Sequence, residues 1–179
     1  EIIGNTPIKN VIVADLGDCG NAALPSPPVD ERLKNVVRFT DALAAGEGLS
    51  FTPVEITGDD LLFLQYTGGT TGLSKGATLT HRNLVANIEQ FSALAGDMIR
   101  DGEEVVITAL PLYHIFALMV NCLSYFTKGG RNVLITNPRD MPGFVAELSN
   151  WKFSVITGVN TLFNGLLHTP GFAECDFSN

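Results

Sequence analysis

Cysteine is scarce: Cys19, Cys122 and Cys175 are the whole complement, odd in number and far apart. They offer no metal-ligand spacing and no disulfide framework, and a reducing cytoplasm suits them best. Basic residues are also short, 11 Lys and Arg against 19 Asp and Glu, for a net charge of −8. A general nucleic-acid binder needs basic patches to neutralise phosphates, so that class is set aside. A single nucleotide is not, because a few backbone N–H groups and one lysine suffice to hold it. No apolar run is long enough to span a bilayer; the longest, Ile115 to Phe126, is interrupted by Asn121 and Ser124 and reads as a core helix. Internal repeats, low-complexity stretches, a signal-peptide pattern and an initiator methionine are all missing, and from Glu1 the chain reads as cut from a longer one.

What is present is apolar. Hydrophobic residues make up 45% of 179, at a mean hydropathy of +0.22. That is high for a free-standing domain of this length and suggests a body that buries surface against something else. Val11 to Asp15 reads as a short buried strand, residues 17 to 30 as a Gly- and Pro-rich loop, and Asp30 to Ala45 as a helix stopped by Gly46 and Gly48. Leu61 to Leu64 reads as a buried strand, with a return strand at Gly76 to Leu79. Thr80 is a good N-cap for a helix from His81 to Ala95, closed by Gly96, with Leu84, Ile88, Phe91 and Ala95 on one face. Strands at Val105 to Leu110, Asn132 to Ile135 and Phe153 to Thr157 then alternate with helices at 115–126, Pro142 to Trp151 and Val159 to His168.

That alternation predicts an α/β fold, a mostly parallel sheet with helices on both faces. A division follows: 1–58 as an N-terminal segment with a loop and a helix, and 59–179 as the α/β unit. In such sheets ligands sit beyond the carboxyl ends of the strands, and three candidate segments lie at such ends: 67–76, 111–116 and 157–161.

The first of them, Thr67-Gly68-Gly69-Thr70-Thr71-Gly72-Leu73-Ser74-Lys75-Gly76, is crowded with glycine and hydroxyl groups. Glycine lets successive N–H groups converge on one point, and Lys75 adds a mobile positive charge, so the loop suits a polyphosphate. The spacing is not that of the ordinary P-loop, because Ser74 precedes Lys75 and Gly76 follows it. By composition alone a flexible hairpin remains open.

The longer string Tyr66-Thr-Gly-Gly-Thr-Thr-Gly-Leu-Ser-Lys-Gly76, with Ala77-Thr-Leu-Thr-His-Arg-Asn83 after it, resembles the phosphate-loop signature of the adenylate-forming acyl-CoA synthetases, most closely the bacterial long-chain fatty acid–CoA ligases. Ser74 departs from the proline that many members carry there. The resemblance implies that Thr67, Gly68, Gly69, Thr70, Thr71, Gly72, Ser74 and Lys75 hold the phosphates of ATP. Pro111-Leu-Tyr-His-Ile-Phe116 resembles a second signature of the same superfamily, which implies that His114 sits near the carboxylate of the acid and the reacting phosphate, with Tyr113 beside it. An isolated histidine there would more often cap the next helix. Ile156 to Leu167 matches a segment that walls the acyl pocket, implying substrate contacts from Gly158, Val159 and Thr161. Phe163 reads better as packing.

The resemblance is dense from about Asp59 onward. It implies activation of a fatty acid by ATP to an acyl-adenylate and pyrophosphate, then transfer to CoA with release of AMP. Expected partners are therefore a fatty acid, ATP and CoA, with no nucleic acid; peripheral membrane contact at the inner face of the cytoplasmic membrane and homodimerisation stay open. Mg2+ is implied, but no metal ligand is identified in this chain. The family's Gly-Tyr-Gly-x-Thr-Glu string and its later Thr-Gly-Asp ribose motif are both missing after the phosphate loop, so the chain reads as an internal part of an N-terminal domain, inactive alone. Activation of an amino acid or aryl acid is the competing chemistry, although no acidic residue in 153–167 stands ready for an ammonium group. A non-catalytic nucleotide-binding module and a purely structural segment also stay open.

Overall fold

Thr80 is the pivot of the larger unit, because one residue both ends a strand and starts a helix. In the computed structural model, which describes residues 3–15, 17–18, 28–67 and 74–178, strand β3 (Leu61–Thr67) pairs antiparallel with β4 (Lys75–Thr80). Helix α2 (His81–Ala95) follows without a break. The Thr80 side chain accepts from the Asn83 N–H, and the Asn83 side chain accepts from the Thr80 N–H at 2.9 Å. This reciprocal box satisfies donors that a helix start otherwise leaves open. Gly96, at φ 51°, closes the helix in a conformation that disfavours side chains.

The chain divides into two compact units, Glu1–Val54 and Glu55–Asn179. In the first, β1 (Val11–Val13) pairs parallel with β2 (Val36–Arg38), and α1 (Phe39–Gly46) follows. The helix expected from Asp30 therefore starts only at Phe39. Asn35 takes φ 55°, which interrupts a helix, and the β-branched Val36 and Val37 pair with Val11 and Ile12. Most of the loop expected at 17–30 lies outside the described residues.

In the second unit a three-stranded parallel sheet has the order β6-β5-β7, with β5 Val105–Thr108 central, β6 Arg131–Leu134 and β7 Val155–Thr157. Parallel neighbours require crossover connections, and helices supply them. On one face Ile107 and Val133 pack with Phe144, Val145 and Leu148 of α4 (Met141–Leu148) and Leu162 and Leu166 of α5 (Asn160–Leu167). On the other lies the expected core helix, which is π-helical over Ala117–Ser124 and continues as α3 (Tyr125–Thr127). Phe91 of α2 meets Tyr125 edge to face at 5.8 Å between ring centroids. The expected α/β layering, with helices on both faces of a parallel sheet, is what forms.

Two expectations about the hairpin also change. The β3–β4 pair forms its own two-stranded sheet, because strands joined by a short loop pair locally and antiparallel. Leu61 and Leu64, expected to be buried, are each 54% exposed, since a two-stranded ribbon has little to cover it.

Candidate functional site

The hairpin registers Thr67 opposite Lys75 and Tyr66 opposite Gly76. The two ends of the Gly- and Thr-rich stretch are therefore held side by side by a strand ladder. The Tyr66 ring lies across Gly76, where a Cβ would stand 3.1 Å from Cζ of that exposed side chain. Ser74 and Lys75 are exposed. Gly68, Gly69, Thr70, Thr71 and Gly72 lie outside the described residues, as does the side chain of Thr67.

The helix end of the hairpin is tied down locally. The Arg82 N–H donates to the Gly58 carbonyl at 2.8 Å, and the Arg82 guanidinium pairs with Asp59 at 3.0 Å. Asp60 accepts from both the N–H and the hydroxyl of Thr57, which holds its carboxyl below the usual carboxylate range. Arg82 and Asn83 thus anchor the hairpin to α2.

Beyond β5 the chain turns at Pro111, where the His114 N–H donates to the Pro111 carbonyl at 2.9 Å, and then enters the helix. The Phe116 N–H donates to Nδ1 of His114 at 3.2 Å. That bond occupies the Nδ1 lone pair, so the neutral ring carries its proton on Nε2. His114 thus does what an isolated histidine there would do, capping the next helix, and still leaves an exposed Nε2 available to a ligand. Tyr113 is 84% exposed and packs on little.

Beyond β7, Gly158 sits where a Cβ would meet Cδ2 of Leu162 at 2.8 Å and Phe163 at 3.1 Å. The Gly158 backbone packs against the Leu162 and Phe163 side chains of α5, which would have to shift for a larger residue. Val159 and Thr161 are exposed at the same helix start, while Phe163 joins the core as expected.

Thr108 and Thr157 are register neighbours on adjacent strands. The His114 turn and the Gly158 turn therefore leave the same edge of one sheet. The hairpin belongs to a separate sheet, so the expected rim of three strand ends reduces to two. Leu79 of β4 does share a cavity of about 170 Å³ with Asn83, Leu84 and Asn87 of α2 and with Ile115 and Met119, which joins the hairpin's far end to the residue after His114.

Asn121, in the sequence only an interruption of an apolar helix, has a larger part. It is fully buried, and its side chain bonds to Thr108 and Thr157, the last residues of β5 and β7. A lone amide inside an apolar run is the signal that points to it. Among the described residues no group of three His, Cys, Asp or Glu side chains is placed to hold a metal ion. No helix among them is long and apolar enough to cross a membrane.

A family model described as AMP-binding enzyme matches residues 5–178. A long-chain-fatty-acid–CoA ligase of Escherichia coli O6:H1 is 45% identical over the whole chain, which spans 34% of that ligase. Among solved structures, the inhibitor-bound N-terminal domain of FACL13 from Mycobacterium tuberculosis superposes at TM-score 0.68 and 22% identity. That match covers 80% of this chain and 35% of the other, and it bears on the fold. ATP-bound MatB from Rhodopseudomonas palustris superposes at TM-score 0.58 and 31% identity, over 73% of this chain and 25% of that one. The chain thus spans about a third of the length of the curated relatives it matches.

Proposed function

The chain belongs to the AMP-binding enzyme family, and from that premise we propose that it forms the phosphate- and acid-binding part of a long-chain fatty acid–CoA ligase. The activity is the two-step one: a fatty acid carboxylate attacks the α-phosphate of ATP, pyrophosphate leaves, and the CoA thiol then displaces AMP. The 45% identity to ligases of that name supports the reading. The observation that carries it is the β3–β4 ladder, which sets Thr67 against Lys75 at the two ends of the Gly- and Thr-rich stretch.

In this reading Thr67, Gly68, Gly69, Thr70, Thr71, Gly72, Ser74 and Lys75 hold the β- and γ-phosphates. Aligned N–H and hydroxyl donors, with the Lys75 ammonium, stabilise the charge that grows on departing pyrophosphate. The exposed Nε2–H of His114 donates to a carboxylate oxygen of the acid and orients it toward the phosphorus. Tyr113, Val159 and Thr161 border the acyl chain, with Gly158 at the turn that enters α5. Mg2+ would neutralise phosphate charge when bound, through ligands other than those described. The family match covers residues 5–178; residues 59–179 make up the α/β subdomain that carries the phosphate loop, and we place the enzyme in the cytoplasm.

The test uses the natural full-length protein. Lys75→Ala and Thr70→Ala should each lower ATP-dependent turnover, on the order of 10²-fold, with the circular dichroism spectrum unchanged. His114→Ala should slow adenylate formation more than thioester transfer from supplied acyl-adenylate. Unchanged turnover in both loop variants would overturn the phosphate assignment, and equal slowing of both half-reactions would overturn that of His114.

A further inference from the structure

Four buried or half-buried polar side chains meet where the sheet turns into its two signature loops. Asn121 is 0% exposed and Thr108 2%. Nδ2 of Asn121 donates to Oγ1 of Thr108 at 3.0 Å and to Oγ1 of Thr157 at 2.7 Å. The Thr157 hydroxyl donates back to Oδ1 of Asn121 at 2.9 Å, and the Thr108 hydroxyl donates to Oδ1 of Asn132 at 2.6 Å. Nδ2 of Asn132 closes the circuit on the Asn121 carbonyl at 2.8 Å. All three strands are bound in this way to one π-helical turn, an element that is costly and concentrates at functional sites.

The placement is more specific than a core crosslink requires. Thr108 and Thr157 are the final residues of β5 and β7, so the amide grips each strand one residue before its loop departs. The segment carrying Asn121 also begins at the His114 turn, where the Leu118 N–H donates to the His114 carbonyl at 3.0 Å. One side chain therefore ties the two ends of the 109–120 segment together and links both to Gly158. In a buried, fully bonded network each donor has one assigned acceptor, which leaves the loops a single register.

We propose that Asn121 and Thr157 are positioning residues for acid activation: their mutual bonds hold His114 and the Gly158 turn in the one relative arrangement that lines the acid up with ATP. The proposal rests on the functional reading above. Thr157→Val keeps the shape and removes the hydroxyl; Thr157→Ser keeps the hydroxyl. In the natural full-length protein, at a temperature where every variant is folded, Thr157→Val should lower kcat for adenylate formation about tenfold or more. KM for ATP and thioester transfer from supplied acyl-adenylate should stay near wild type, and Thr157→Ser should recover the rate. Should Thr157→Val fail to fold, Thr108→Val removes the other hydroxyl and serves in its place. If the network were a stabilising crosslink with no positioning role, Thr157→Val would lower the melting temperature and leave kcat unchanged, and that result overturns the proposal. Amide hydrogen exchange judges the lock separately. Faster exchange in 109–116 and 158–161 together, with Val105 and Arg131 unaffected, supports it, and unaltered exchange overturns it. A wild-type protein that releases no pyrophosphate with any acid would instead defeat the functional reading, leaving exchange alone to decide the lock.

Discussion

At the scale of single residues, close contact decides what can be changed. Gly158 has no room for a methyl group beside Leu162 and Phe163. Gly158→Ala should destabilise the protein by about 1–3 kcal/mol through overpacking, measured by urea unfolding, and should disturb the start of α5. Glu104 is a second case. Its carboxylate is 3% exposed, and it accepts from the Ser154 hydroxyl and from the Arg100 N–H at 2.8 Å. The Ser154 bond, then the Arg100 bond, holds it below the usual value of 4.5. A depressed carboxylate stabilises the fold above its unfolded pKa, and that contribution disappears as pH falls through the folded value. The stability difference between wild type and Glu104→Gln should therefore be constant near neutrality and shrink as pH falls below 4.5. Thermal melts across that range check it; a difference independent of pH would mean the carboxylate's charge is irrelevant. Tyr125 moves the other way, its hydroxyl pKa raised by burial and then by the nearby Glu104 charge.

At the scale of elements, what is legible in the sequence is what is local. Helix α2 is legible because its cap, its apolar period and its closing glycine lie within one short stretch. Thr80→Ala should cost about 1 kcal/mol, seen as a lower urea midpoint with unchanged slope, and Thr80→Ser should restore it. The helix expected from Asp30 fails because Leu33, Val36 and Val37 fit helical spacing as well as a strand does. The strand partners of the two valines, Val11 and Ile12, lie more than twenty residues away and leave no local trace. The Asn121 circuit is hidden for the same reason, since its partners come from strands before and after it. His114 stands out by its signature, but the Phe116 bond that fixes its tautomer depends on backbone geometry that the sequence does not state.

At the scale of the whole molecule, family membership and the layered sheet support the proposed activation of a carboxylic acid at the strand-end turns. The layering is legible because alternating strands and helices leave few topologies to choose from. The separate hairpin is less so, because strand periodicity does not reveal which sheet a strand joins. The groove shared by Leu79, Asn83, Leu84, Asn87, Ile115 and Met119 lies next to the His114 turn. The most direct test is pyrophosphate release by the natural full-length protein with MgATP, across short, medium and long fatty acids and a panel of amino acids. Release that rises with acyl length, with AMP appearing once CoA is added, is the expected result. A folded protein that binds ATP yet releases no pyrophosphate with any acid would contradict it.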